Sequence, residues 1–422
     1  MMSSIGKPIR WRFALPVWIA LLVSCGREIP IDRQVDELLN KRAYAQALDL
    51  LAERLKREPA AWPVHDLRVR VLVAAGRRDE ALSAYAERYR HSGPDSPQLF
   101  RRITVALLEE VLSNGDGLLQ IRAAAALGAL ASADLLPLYG RALSHRDVSV
   151  RALAARGLSD ISGEEAGSLL RSALKDPYAE VRAAATAALV GRQDEQTRAT
   201  VERALEDSSR MVRLRAAATL ARQGGVRSVG LLTRFLKDRD DTIRMQAAEV
   251  LGHLGNAVAV PALKPLLLDE NPYVRIYAAE ALARLNDPRG REALHQGLRH
   301  PNRSVAMYAA EAFSNLGEPA GSLRLVETLD PKQDTPSRLY AAWTLARLGD
   351  LRGQPVLEEL LHHPDEQIRA QAAWTLGQLG GDAGIPSLRH ALVDPARPVR
   401  LQAVWALAFK LRANGSRTST GS

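Results

Sequence analysis

From about residue 97 to residue 411 one pattern of apolar and polar positions keeps returning, V/I-R-x-x-A-A-x-x-L-x-x-L-G. Its arginine recurs as Arg122, Arg151, Arg182, Arg213, Arg244 and Arg275, then as Arg338, Arg369 and Arg400, with Ala306 in the one vacant place. The steps run from 29 to 32 residues, so the period belongs to a helix pair and not to a strand or a blade. Apolar residues one before the arginine, then three, seven and ten after it, fall on one helical stripe. The alanine pair lets neighbouring helices approach closely, and the closing glycine suits a left-handed helix stop. A second amphipathic segment precedes each such helix, for example 260–268 or 354–361, joined to it by a polar turn that is often Asp-Pro. No alternating strand pattern competes. The pattern predicts an all-α array of about ten helix pairs, stacked as a curved rod.

Upstream, residues 38–93 carry a different period. Ala47-Leu48 and Ala81-Leu82 lie 34 residues apart, each followed by a proline-containing break at Pro59 or Pro94. The segment resembles tetratricopeptide helical hairpins. It departs from that pattern at Arg42, where the loop glycine is expected (Gly76 in the second copy), and in lacking the usual Trp, Leu and Gly of the first helix.

The main array resembles the HEAT repeat class named for phycobilin lyase subunits, over about three quarters of the chain. The hallmark is an aspartate six residues before the arginine, present as Asp116/Arg122, Asp176/Arg182, Asp207/Arg213, Asp238/Arg244, Asp269/Arg275 and Asp394/Arg400. The resemblance implies a right-handed α-solenoid in which these pairs form a charged ladder linking successive turns. His145, His300 and His363 replace the aspartate in three units, where they are expected as polar caps. The turn 300–306 lacks both ladder partners, which makes it the expected flexible point.

Three positive charges, Lys7, Arg10 and Arg12, precede an apolar run of 11 residues (13–23) that ends in Leu-Val-Ser-Cys25. The run is too short to span a bilayer as a helix, which takes about 20 residues, and fits a signal-peptide core. The order resembles a bacterial lipobox. The resemblance implies a signal peptide over 1–24, diacylglycerol on Cys25 and a linker over 25–37. Gly26, not Asp, after the cysteine favours the outer membrane, facing the periplasm. Without residues 1–24 the formal charge of +9 falls to +6, modest for a nucleic-acid binder. A single cysteine rules out a disulfide scaffold and cysteine-based metal centres. The polar tail 412–422 is expected to be disordered.

Catalytic signatures are missing. There is no HExxH, P-loop or GxSxG, and no His-Glu dipeptide of the kind used by iron-binding HEAT hydroxylases. The sequence therefore predicts no enzyme, no cofactor and no metal. What it does carry is a set of columns on one helix face, counted from each arginine. At +2 stand Gln246, Tyr277, Tyr308, Tyr340, Gln371 and Gln402; at +5, Glu249, Glu280, Glu311, Trp343, Trp374 and Trp405; at +9, His253, Arg284, Asn315, Arg347 and Gln378. In this architecture that face is concave, and at about 10 Å per helix the ladder would run on the order of 50 Å. Aromatics with polar edges are enriched in binding hot spots. The prediction is a lipid-anchored scaffold whose Tyr277, Tyr308, Tyr340, Trp343, Trp374 and Trp405, with Glu249, Glu280 and Glu311, hold an envelope protein or peptide. The alternative is a glycan or peptidoglycan stacked on the same rings. Only Arg284 and Arg347 are basic in these columns, beside three glutamates, so no nucleic acid is expected.

Overall fold

A computed structural model describes residues 30–90, 96–224 and 226–418. The signal segment and Cys25 lie outside the described residues. Among those described, every regular element is helical, and no helix is long and apolar enough to cross a membrane. The chain divides into two compact units, with the boundary between Ile103 and Thr104.

The first unit holds two helix pairs, α1 (Ile31–Asn40) with α2 (Tyr44–Arg57) and α3 (Trp62–Ala74) with α4 (Arg78–Arg90). Val35, Ala47, Leu51, Val64, Leu67 and Val71 form its core. Helix α1 occupies part of the segment read as linker, because Val35 is fully buried in that core and Ile31 packs against it. Between the pairs' helices, Arg42 (φ 56°) and Gly76 (φ 74°) both adopt the left-handed conformation. The missing loop glycine has thus left the turn unchanged, at a backbone cost glycine would not incur.

The second unit alternates outer and inner helices. The outer set is α5 (Pro97–Asn114, which crosses the unit boundary), α7 (Leu136–Leu143), α9 (Glu164–Ala173), α11 (Glu195–Arg203), α13 (Val226–Phe235), α15 (Val260–Leu263), α17 (Pro288–Leu298), α19 (Pro319–Thr328), α21 (Gln354–Leu360) and α23 (Ile385–Ala391). The inner set is α6 (Gly117–Leu130), α8 (Val148–Gly157), α10 (Ala179–Ala188), α12 (Arg210–Arg222), α14 (Asp241–Leu254), α16 (Pro272–Arg284), α18 (Arg303–Asn315), α20 (Thr335–Arg347), α22 (Glu366–Gln378) and α24 (Arg397–Thr418). These ten even-numbered helices carry the repeated motif, nine of them with its arginine and α18 with Ala306. One outer segment breaks as its prolines require: α15 gives way to a tighter 3-10 stretch at Lys264–Leu268, since Pro265 offers no N–H. Helix α24 runs on to Thr418, into the segment read as a disordered tail; no proline interrupts it.

Small residues set the helix spacing. A Cβ on Gly252 would lie 2.7 Å from the Cα of Ala281 on the next inner helix, and one on Gly377 would lie 2.8 Å from that of Ala406. Only glycine at these places lets successive inner helices touch backbone to backbone.

Four of the ladder arginines span two turns. Arg244 donates from Nη1 to the carbonyls of Asp238 (2.8 Å) and Arg239 (3.2 Å), and from Nε and Nη2 to the carboxylate of Asp269 (2.8 and 2.9 Å). Arg151–Asp176, Arg182–Asp207 and Arg369–Asp394 repeat this geometry. The carboxylate partner is thus the aspartate 25 residues later, not the one six residues earlier. That nearer aspartate is occupied locally: its carboxylate accepts an N–H two residues on, as Asp269 does from Asn271 (3.0 Å). His145, His300 and His363 do the same with Nδ1, each accepting an N–H at 3.0 Å. Arg275 keeps only its carbonyl bonds, because the next turn offers His300 instead of a carboxylate.

The array does not end as an open rod. Helix α24 packs against α6. Arg397 of α24 donates to Glu110 of α5 at 2.7 Å, and Arg122 of α6 donates to Gln367 of α22 at 2.8 Å. Asp116, the first ladder acid, caps α6 by accepting the Leu119 N–H at 2.9 Å. Each unit turns through about a tenth of a circle, and ten units bring the last helix beside the first. The first arginine, freed from a following aspartate by His145, serves the seam.

Candidate inner-wall binding site

The +2, +5 and +9 columns lie on the inner helices, and the closure turns them into the wall of a lumen. Ten helices spaced about 8–10 Å make a ring roughly 30 Å across at the axes. Side chains on helices about 10 Å thick leave an opening on the order of 20 Å, wide enough for an extended segment or one helix.

On α16, α18 and α20 the aromatics form a continuous stack. Tyr273 meets Tyr308 edge-on with ring centres 5.3 Å apart, and Tyr277 lies 6.5 Å from Tyr308. Tyr308 is 6.1 Å from Tyr340, Tyr340 is 5.7 Å from Trp343, and the Arg347 guanidinium sits 4.6 Å from the centre of the Trp343 ring. All these rings are half-buried. Tyr273, two residues before Arg275, was missed in the sequence because it lies outside the three columns.

The glutamates are not a uniform solvated face. Glu311 accepts the Tyr340 hydroxyl at 2.6 Å and Arg347 at 2.7 Å. Glu280 accepts Arg284 at 2.7 Å and the Asn315 amide at 3.4 Å. Glu249 stays exposed. Burial, then the charge of Glu249, pushes the Tyr277 hydroxyl up to about 12. Burial and the bond to Glu311 push Tyr340 up as well. Both remain neutral hydrogen-bond donors across the physiological range.

Trp374 borders a cavity of about 280 Å³ at the seam, lined also by Ala129, Arg347, Gln378, Ala406 and Phe409. Trp405 is a correction. It is 1% exposed, and its indole N–H has no partner among the described residues. Ring closure is the reason: α24 is flanked by α22 and α6, so its +5 position is sealed in the joint and Gln402 at +2 is buried with it. Phe409, at +9 on the same helix, reaches the cavity instead. Among the described residues no group of three or more His, Cys, Asp or Glu is placed to hold a metal ion.

A family model described as HEAT repeats matches residues 104–190, 197–272, 265–336 and 322–408. Among solved structures, a chain of the CpcE–CpcF complex of phycocyanin lyase from Nostoc sp. PCC7120 is similar. It is 22% identical with a TM-score of 0.35, over 57% of this chain and 94% of that one. Human deoxyhypusine hydroxylase, solved with glycerol, is also similar: 22% identical with a TM-score of 0.31, over 58% of this chain and 96% of that one. Among curated proteins none matches this sequence. These likenesses concern the fold alone. They do correct one expectation: enzymes occur among the chains built on this repeat, so the architecture is no ground for excluding catalysis.

Proposed function

This chain belongs to the HEAT-repeat family, and from that premise we propose that its closed array captures a segment of a partner protein inside the lumen, against the aromatic wall. The observation that carries this reading is the unbroken run from Tyr273 to Trp343 and on to the cavity at Trp374. Rings that served packing alone would be buried, as Trp405 is. Here the rings are only half-buried, beside hydroxyl, guanidinium and carboxylate groups. That mixture suits a peptide, which offers apolar side chains and backbone polar groups at short intervals.

The setting we propose is the bacterial envelope, with the chain lipid-anchored through Cys25 and facing the periplasm. The support is the order of positive charge, short apolar core and lone cysteine. Crosslinking in intact cells, followed by identification of what is captured, tests the pairing. Trp374→Ala is expected to weaken capture by roughly 30-fold, the effect of removing a hot-spot indole. Capture unchanged by Trp374→Ala and by Trp343→Ala would overturn the reading. Quenching of tryptophan fluorescence by soluble cell-wall fragments would favour a glycan on the same rings.

A further inference from the structure

The aromatic wall covers one arc of the lumen, and the arc from α8 to α12 is built differently. Its columns read Leu153 and Arg156 on α8, with Asp160 in the 3-10 turn beyond it; Ala184 and Ala187 on α10, with Gly191 in the 3-10 turn beyond it; and Arg215, Ala218 and Arg222 on α12. The middle helix presents nothing larger than a methyl group, and around Gly191 there is open space where a Cβ would sit. A shallow trough therefore runs over α10, with Arg156 on one bank and Arg215 and Arg222 on the other.

These three guanidinium groups differ from the other arginines of the wall. Arg284 and Arg347 each hold a glutamate. Arg156, Arg215 and Arg222 make no hydrogen bond or ion pair among the described residues. They are close enough to act on one another. Burial, opposed by Glu249 and reinforced by the charges of Arg156 and Arg222, lowers the Arg215 guanidinium below its usual range. Glu249 is the acid that acts on Arg215, and Asp160, just past α8, accepts the Ser159 hydroxyl at 3.1 Å. Like charges gathered on one wall, offset at Arg215 only by Glu249, cost free energy, and an incoming anion removes that cost.

We propose that Arg156, Arg215 and Arg222, converging over the small side chains of α10, form an oxyanion-binding site on the inner wall. Planar guanidinium forks match carboxylate and phosphate oxygens two at a time, and three of them enclose one such group from two banks. The ligand is a phosphate group or an acidic side chain of a bound segment; the recognised chemistry is the same. The site is separate from the aromatic arc and does not depend on the partner-capture reading.

Isothermal titration of the purified full chain with inorganic pyrophosphate, and separately with a hexaglutamate peptide, tests it at low ionic strength. Saturable one-site binding of at least one probe is expected, weakened about ten-fold or more in Arg215→Gln/Arg222→Gln. Tighter binding of pyrophosphate assigns a phosphate; tighter binding of the peptide assigns an acidic segment. Arg239→Gln, at an exposed turn away from the wall, should bind as the parent does. Helical content and melting temperature confirm that both variants fold. No binding of either probe, or equal binding by the double variant, overturns the site. Trp374→Ala should leave probe binding intact, which keeps the two proposals distinguishable.

Discussion

Arg244→Ala is expected to destabilise the array by about 3–5 kcal/mol, because it strands the Asp269 carboxylate and unties two turns at once. Arg244 is 8% exposed and makes four hydrogen bonds, two to carbonyls of its own turn and two to the next turn's carboxylate. Arg244→Lys keeps the charge but loses the fork, and should fall between. Arg198→Ala breaks only an exposed pair with Glu202 and should cost within about 0.5 kcal/mol. Guanidinium denaturation of the three variants checks the order. The ladder also sets an acid response. Burial works to raise the Asp269 carboxyl, but the bonds from Arg244 and the Asn271 N–H hold it below the ordinary range; Asp176 and Asp207 are lowered too. A depressed carboxyl stabilises the fold above its unfolded pKa and stops doing so as pH falls through its folded value. Stability from the ladder should therefore hold at neutral pH and decline below about pH 4.

In the first unit, Asp66→Ala is expected to cost about 3–5 kcal/mol by leaving the Arg88 guanidinium buried without its carboxylate. Arg88 is 1% exposed, pairs with Asp66, and lies 5.7 Å from the centre of the Trp62 ring and 5.8 Å from that of Tyr85. Burial raises the Asp66 carboxyl despite the nearby Arg88. The sign is opposite to that of the ladder: ionising Asp66 works against folding above its ordinary pKa, so acid does not remove stability here. Removing both charges in Asp66→Leu/Arg88→Met should cost far less than Asp66→Ala alone. Thermal melts of the single and double variants decide it. A double variant as unstable as the single one would contradict the assignment.

Much of this molecule could be read from its sequence because each unit solves its packing problem locally. The V/I-R-x-x-A-A motif fixes an inner helix, its buried stripe and its close-approach surface within some thirteen residues. The three columns could be read for the same reason, and Tyr277, Tyr308, Tyr340 and Trp343 do line one face. Ring closure could not be read this way. It follows from a small rotation accumulated over ten units, and no single unit encodes contact between residues as distant as Glu110 and Arg397. Trp405 was misplaced for that reason: its motif matches those of Trp343 and Trp374, but its neighbour on one side comes from the far end of the array. The ladder partner was misassigned on a smaller scale, since proximity in sequence suggested the aspartate six residues back while the guanidinium reaches the following turn.

A closed array requires its first and last inner helices to meet. Spin labels at Ser113→Cys and Val393→Cys, both exposed positions flanking the Glu110–Arg397 contact, measure this in a chain carrying Cys25→Ser. Closure is expected to give a single distance well under about 30 Å, three helix spacings. A distribution centred many helix spacings further out would show an open superhelix, with no lumen and with Trp405 free to meet solvent.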